Sequence, residues 1–217
     1  YPKLSTEQAN SFGIAEIIGE GNSQFQHSIP NRIYNVSLAA SRVSGILVAP
    51  NEEFSFGKYL GDVSKYTGYK EAYVIKEGKT VLGDGGGVCQ VSTTLFRAAL
   101  NSGLPITERT AHAYRVGYYE QDSAPGFDAT VYVPSVDLKF KNDTNGYILI
   151  QSYVDTQNLT LKYVIYGKKD GRETSISKPI ISNQSAPPPP LYQDDPTLSL
   201  GVVKQVDFAA AGANVQF

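Results

Sequence analysis

An α+β fold, mostly antiparallel sheet with a cysteine-bearing helix and a β-rich C-terminal half, is what this 217-residue sequence predicts. Three observations carry the prediction. Apolar residues recur at helical spacing over residues 31–43, and a glycine run at 85–87 opens a second helical stretch reaching residue 101. From Thr110 onward, short β-branched and aromatic segments alternate with Gly, Asn, Asp and Pro turns. Segments so close in sequence pair antiparallel, and a helix laid on one face of the sheet lets both bury their apolar sides.

Taken in order, residues 1–22 read as a lead-in with an early strand around Phe12–Ile18. Residues 23–167 form the core. Its first helix, Asn31–Val43, sets Ile33, Val36, Leu38, Ala39 and Val43 near one stripe, and Ile46–Val48 follows as a short strand before Pro50. Tyr69–Ile75 and Thr80–Leu82 are extended and flank a Glu77-Gly78 turn, a hairpin that leads into the glycine run. The second helix, Gln90–Asn101, ends at Ser102-Gly103-Leu104-Pro105. Strands are expected at Thr110–Tyr119, Ala129–Pro134, Leu138–Asn142, Tyr147–Asp155 and Thr160–Gly167. Residues 168–217 change character: Ala186 and the four prolines after it make a stiff segment, either spacer or strap, and Leu198–Asp207 and Ala213–Phe217 are further strand candidates.

Composition excludes several classes of function. A hydrophobic content of 41% suits a packed domain, while a net charge of -2 with scattered Lys and Arg leaves no electrostatic footprint for nucleic acid. No apolar run approaches the ~20 residues that span a bilayer. No signal peptide opens the chain, so membrane attachment is expected only through segments outside it. One cysteine and two histidines, without His-x-x-x-His or an Asp-rich loop, predict neither metal nor cofactor. The Gly85-Gly86-Gly87 run lacks the Gly-Lys-Ser/Thr ending of a phosphate loop.

The candidate chemistry centres on Cys89, where the glycine run meets the helix. A lone cysteine is commonly a small buried hydrophobe, but unpaired N–H groups at a helix N-terminus stabilise a thiolate and can hold an oxyanion. Gly86, Gly87, Val88 and Gln90 are the candidate donors, and the glycines allow a sharp turn and close substrate approach. His112 is the candidate general base and acid; His27, in a polar stretch before Pro30, reads as a surface histidine. Asp128 either fixes the His112 tautomer or caps a turn. Ser92, Thr93 and Thr94 read as serving the first helical turn, and Asp84 as a turn partner of the glycines. Arg109 and Arg115 offer forks for substrate carboxylates, or pair with Glu108, Glu120 or Asp122. Tyr118 and Tyr119 line a peptide groove, or pack as most of the 15 tyrosines must.

Several stretches resemble the VanW domain family of Gram-positive envelope proteins. They are Arg32-Ile33-Tyr34-Asn35-Val36 with Leu38-Ala39-Ala40, Pro50 to Phe56, Gly68-Tyr69 with Glu71-Ala72, Gly85 to Leu95, Glu108-Arg109 with His112, Gly126 to Val131, and Asp137 to Asn142. Some members resemble L,D-transpeptidases that use a cysteine to form 3-3 peptidoglycan cross-links. The resemblance carries that cysteine onto Cys89 and its histidine onto His112; Ala113 departs from the serine that often follows the histidine. It implies a cysteine acyltransferase at the extracellular face of the cytoplasmic membrane or in the wall, acting on a tetrapeptide stem donor and an amine acceptor through a thioester. Two alternatives stand beside it: a cysteine peptidoglycan hydrolase, and a non-catalytic module that binds wall peptides and is linked to glycopeptide resistance.

Overall fold

The computed structural model describes residues 11–76, 79–206, 209 and 211–217. Its main sheet is antiparallel, in the order β1-β9-β8-β2, from β1 (Glu16–Gln24), β9 (Thr160–Gly167), β8 (Ile148–Asp155) and β2 (Ile46–Val48). A second antiparallel sheet joins β3 (Glu53–Ser55), β7 (Lys139–Lys141) and β6 (Ile106–Glu108) in the order β3-β7-β6. β4 (Glu71–Lys76) and β5 (Lys79–Asp84) pair as a two-stranded ladder, as do β10 (Ile180–Ser185) and β11 (Gly212–Gln216). The class is α+β, mostly antiparallel and rich in strand, as the sequence predicts.

The helices form where the periodicity lies. α1 (Pro30–Arg42) starts on a proline, whose missing N–H costs nothing in a first turn, and buries Val36, Ala39 and Ala40. A five-residue helix, α2 (Phe56–Leu60), is capped by Ser55, whose Oγ accepts from the Lys58 N–H. α3 (Val88–Asn101) buries Val91, Leu95, Phe96, Ala98 and Ala99. These meet Ile148 and Ile150 of β8 and Leu161, Tyr163 and Ile165 of β9 in one core, where burying each large aliphatic side chain contributes roughly 1.5–3 kcal/mol. α3 lies directly on β1, a close approach that Gly19 and Gly21 allow.

Local details depart from expectation. The first strand begins later than Phe12 and runs to Gln24, because its partner β9 supplies acceptors along that whole length. β3, α2 and β6 are elements that three to five residues without clear periodicity did not announce. The Thr110–Tyr119 segment is no strand: it holds an isolated bridge to Thr130 and then a 3-10 turn at Gly117–Glu120. Ala129–Pro134 likewise makes only the bridges of Thr130 to Thr110 and Tyr132 to Val136. Glu77 and Gly78 lie outside the described residues, as does Asp207; the described residues 198–206 contain no strand, whereas β11 falls where Ala213–Phe217 was expected. The prolines at 187–190 are exposed and have no regular structure.

Candidate functional site

The glycine run is shaped by its neighbours in the protein. Gly85 and Gly87 have φ of 83° and 113°, values that a side chain strains to adopt. A Cβ on Gly86 would sit 2.5 Å from the Tyr73 carbonyl oxygen and 2.7 Å from Ala72 Cβ; one on Gly87 would lie 2.9 Å from Val36 Cγ2. The close approach anticipated for a substrate is therefore made by β4 and α1. Asp84 binds the Lys65 N–H at 2.8 Å, tying β5 to a short 3-10 turn and not to the glycines. This packing fixes the start of α3, with Gly87 as N-cap and Cys89 as the second helical residue.

Around Cys89 the chain brings three sequence-selected residues together. His112 Nδ1 lies 2.6 Å from Asp128 Oδ2, and the same oxygen accepts the His112 backbone N–H at 2.8 Å. That leaves Nε2 for the thiol, with which His112 interacts. Sγ lies 3.5 Å from the Val131 carbonyl oxygen. His112 sits in an irregular segment beside the Thr110–Thr130 bridge, so the imidazole is not sheet-borne.

Charge sets the protonation states. Burial works to raise the Cys89 pKa, but His112 and, more weakly, Arg32 bring it below the usual thiol value. Burial opposes the His112 cation, yet Asp128 and the thiolate outweigh it and raise the imidazole to about 9. Asp128 is held below its usual range because His112 and Arg109 outweigh its burial. At neutral pH these directions favour a thiolate and imidazolium pair.

The supporting residues follow the structural alternatives of the sequence reading more than the substrate-binding ones. Gln90 is fully buried: its Oε1 accepts from Arg32 Nη2 at 2.9 Å and its Nε2 donates to the Gln24 carbonyl at 3.2 Å, which takes the side chain out of any oxyanion role. The Val88 and Gln90 amides donate to Gly85 and Gly87 carbonyls, each at 3.0 Å. Arg109 is spent inside the protein, on the Asp128 carboxylate at 3.1 Å and on the Gly126 and Asp128 carbonyls. Arg115 closes a two-pronged pair with Glu120, at 2.8 and 2.5 Å. Tyr119 is buried with its ring 4.9 Å from that of His112, and burial pushes its phenol up; Tyr118 covers Arg32, the guanidinium carbon 4.0 Å from its ring centroid. His27 is exposed in a turn.

Ser92, Thr93 and Thr94 face the interior instead of capping the first turn. Ser92 Oγ donates to the Ala129 carbonyl at 2.7 Å, Thr93 Oγ1 accepts the Ala129 N–H at 3.0 Å, and Thr94 bonds Ser23 at 2.6 Å. The helix thereby holds the residue next to Asp128. Thr93→Val, close in volume, leaves the buried Ala129 N–H unpaired; a loss of about 1–3 kcal/mol is expected. Thermal melting should register it, together with slower alkylation of Cys89 as Asp128 shifts, and an unchanged melt would refute this role.

Arg97 and Arg32 were not singled out by the sequence. Arg97 ties α3 to the loop before Asp128 through Asp122 at 2.9 Å and the Tyr119 and Phe127 carbonyls at 2.6 and 3.0 Å. Their only signal is position: a charged residue on the buried stripe of an apolar helix. Among the described residues no group of three or more His, Cys, Asp and Glu side chains is placed to hold a metal, and no helix is long and apolar enough to cross a membrane.

An α+β domain that brings an imidazole and its carboxylate partner to a thiol in the first turn of a helix is the class that fold and site define. The chain belongs to the VanW-like protein family, whose model matches residues 31–164. It is 38% identical to the Bacillus subtilis (strain 168) protein YoaR over 152 residues, covering 70% of this chain and 48% of that one. It is 36% identical over 116 residues to the vancomycin B-type resistance protein VanW of Enterococcus faecalis (strain ATCC 700802 / V583), covering 53% of this chain and 42% of that one. The chain thus spans less than half the length of either relative. No solved structure matches it significantly.

Proposed function

We propose that the chain is a cell-wall L,D-transpeptidase that forms 3-3 cross-links through a Cys89 thioester. The observation that carries this reading is the His112 imidazole, bonded through Nδ1 to Asp128 and turned toward the thiol. Similarity to a vancomycin-resistance protein supports a role at the wall, on the outer side of the cytoplasmic membrane.

In this mechanism the Cys89 sulfur attacks the carbonyl carbon of the L-D peptide bond before a terminal D-alanine. An S–C bond forms and the carbonyl electron pair moves to oxygen, which the Cys89 amide at the helix N-terminus stabilises. Collapse breaks the C–N bond, and the imidazolium of His112 hands its proton to the departing amine. The side-chain amine of a second stem then attacks the thioester, returns a proton to His112 and expels the thiolate. Asp128 keeps the ring oriented through both steps.

The test is intact-protein mass spectrometry of wild type and Cys89→Ala with tetrapeptide muropeptides, together with chromatography of the products. An acyl adduct and a cross-linked dimer, both absent in the variant, are the expected result. Shortened stems without dimers would replace the transferase with a hydrolase. Stem binding retained by Cys89→Ala, with no adduct in wild type, would make the chain a binding module.

A further inference from the structure

Arg32 is a guanidinium with more than nine-tenths of the residue buried and no carboxylate partner among the described residues. Its Nη1 donates to Ser28 Oγ at 2.8 Å and its Nη2 to Gln90 Oε1 at 2.9 Å, which uses two of the five N–H donors that a guanidinium carries. Every other buried or half-buried arginine near the site has its anion: Arg97 has Asp122, Arg109 has Asp128 and Arg115 has Glu120. The Cys89 thiolate is a charged neighbour of Arg32 but no hydrogen-bonding anion, and neutral partners offset only part of the cost of burying the cation.

The position of Arg32 says what is missing. Its side chain packs on Gly87, where a Cβ would meet Arg32 Cγ at 3.2 Å, so it stands beside the N-terminus of α3. The 3-10 turn at Gly117–Glu120 lays one tyrosine on each cation of the site, Tyr118 on Arg32 and Tyr119 on His112. Gln90, the residue after Cys89, holds the guanidinium in place. The guanidinium and the helix N-terminus are both positive and adjacent, the setting in which proteins bind anions.

We propose that Arg32, beside the N-terminal end of α3, forms a carboxylate subsite next to Cys89, which takes the free α-carboxylate of the residue that leaves. This rests on the acyl-transfer reading and deepens it. In a tetrapeptide donor the carboxylate of the terminal D-alanine lies one residue beyond the attacked carbonyl, so the subsite selects chain ends over internal peptide bonds. Arg32 then binds the donor and positions its scissile carbonyl over the thiol. The binding energy also falls away with the departing D-alanine, which clears the site for the acceptor amine.

Iodoacetate and iodoacetamide test the subsite without any wall substrate. Both alkylate a thiolate by forming S–C and expelling iodide, and they differ in a carboxylate against a neutral amide. The ratio of their rates at Cys89 cancels changes in thiolate fraction, and the iodoacetamide rate reports an intact site. The expected result is a ratio about ten- to a hundredfold lower in Arg32→Gln than in wild type, with Arg32→Lys between them. An unchanged ratio in an Arg32→Gln protein that still reacts with iodoacetamide overturns the proposal. Should Arg32→Gln not fold, wild type supplies the answer: N-acetyl-D-alanine slows iodoacetamide alkylation and its carboxamide does not. Equal protection by the two, or none, overturns the subsite. A second comparison uses the tetrapeptide and its C-terminal carboxamide as acyl donors. Stems that acylate Cys89 equally well with either terminus would sink the subsite and leave the transpeptidase standing. A carboxylate-dependent alkylation ratio with no acylation by any stem would do the reverse.

Discussion

Under the proposed acyl transfer, Asp128→Asn is expected to slow acylation of Cys89 by about 10²–10⁴-fold, the usual worth of an oriented acid and base. The carboxylate does three things that the amide cannot all do. Its Oδ2 accepts both the backbone N–H and the Nδ1–H of His112, and its Oδ1 faces Arg109. An amide NH₂ turned to Nδ1 would select the tautomer that places a proton toward the thiol, and of the two anions that raise the imidazole to about 9 only the thiolate would remain. In wild type, acylation is expected to rise as the thiol ionises, below the usual thiol range, and to fall as the imidazolium that protonates the leaving amine loses its proton near pH 9. In the variant the first limb moves up in pH and the second moves down, so the window narrows from both sides. The fold follows the same groups. An imidazole raised from 6.5 to about 9 gives stability that is complete below about pH 6.5 and lost through pH 9, a contribution the variant should lose in part, keeping what the thiolate supplies. Iodoacetamide alkylation of Cys89 against pH, read by mass spectrometry, measures the rising limb, and acylation by a tetrapeptide stem, which needs the imidazolium proton, measures the falling one. Superimposable profiles for wild type and variant would remove Asp128 from the site.

The three residues that meet at the candidate site were legible because their types and flanks are unusual. A single thiol after three glycines and one histidine with an aspartate 16 residues on leave few other arrangements. What surrounds them was legible only as alternatives, for a physical reason: the partner of a polar side chain is chosen by tertiary packing. Arg109 and Arg115 look alike in sequence, yet one turns in to Asp128 and the other pairs with Glu120 five residues away. Gln90 looks like an oxyanion donor until α1 places Arg32 against it. The two long helices, α1 and α3, were read to within two residues at each end because apolar spacing repeats over three or more turns. The stretch from Thr110 to Pro134 has strand-like composition but pairs only at isolated bridges, since Arg97, Ser92 and Thr93 take up its carbonyls and one of its amides instead. Composition favoured a sheet there, and side chains from α3 prevailed.

Gly21→Ala is expected to be among the most destabilising single changes available, and the reason lies in how α3 reaches the site. A Cβ at Gly21 would stand 2.5 Å from the Ala98 backbone nitrogen and closer still to the Thr94 carbonyl oxygen. Both are main-chain atoms of α3, so no rotamer relieves the clash and the helix itself must move. Overpacking of this kind costs about 3 kcal/mol or more, which for a chain of this size lowers Tm by roughly 6–12 °C. The same shift travels along α3 to Cys89, while Asp128 and His112 are held partly by the loop that Arg97 anchors. Loss of stability and loss of thiol reactivity should therefore appear together, with alkylation of Cys89 slowed even at temperatures where the variant remains folded. A contrasting substitution is Gly45→Ala, on a turn with open space around it: no atom lies within 4 Å of its Cβ, and only the strain of φ 71° is added. That variant should lose about 1–2 kcal/mol and keep its alkylation rate. Equal reactivity in the two folded variants would mean that the thiol is positioned by the glycine run alone, independently of the contact between α3 and β1.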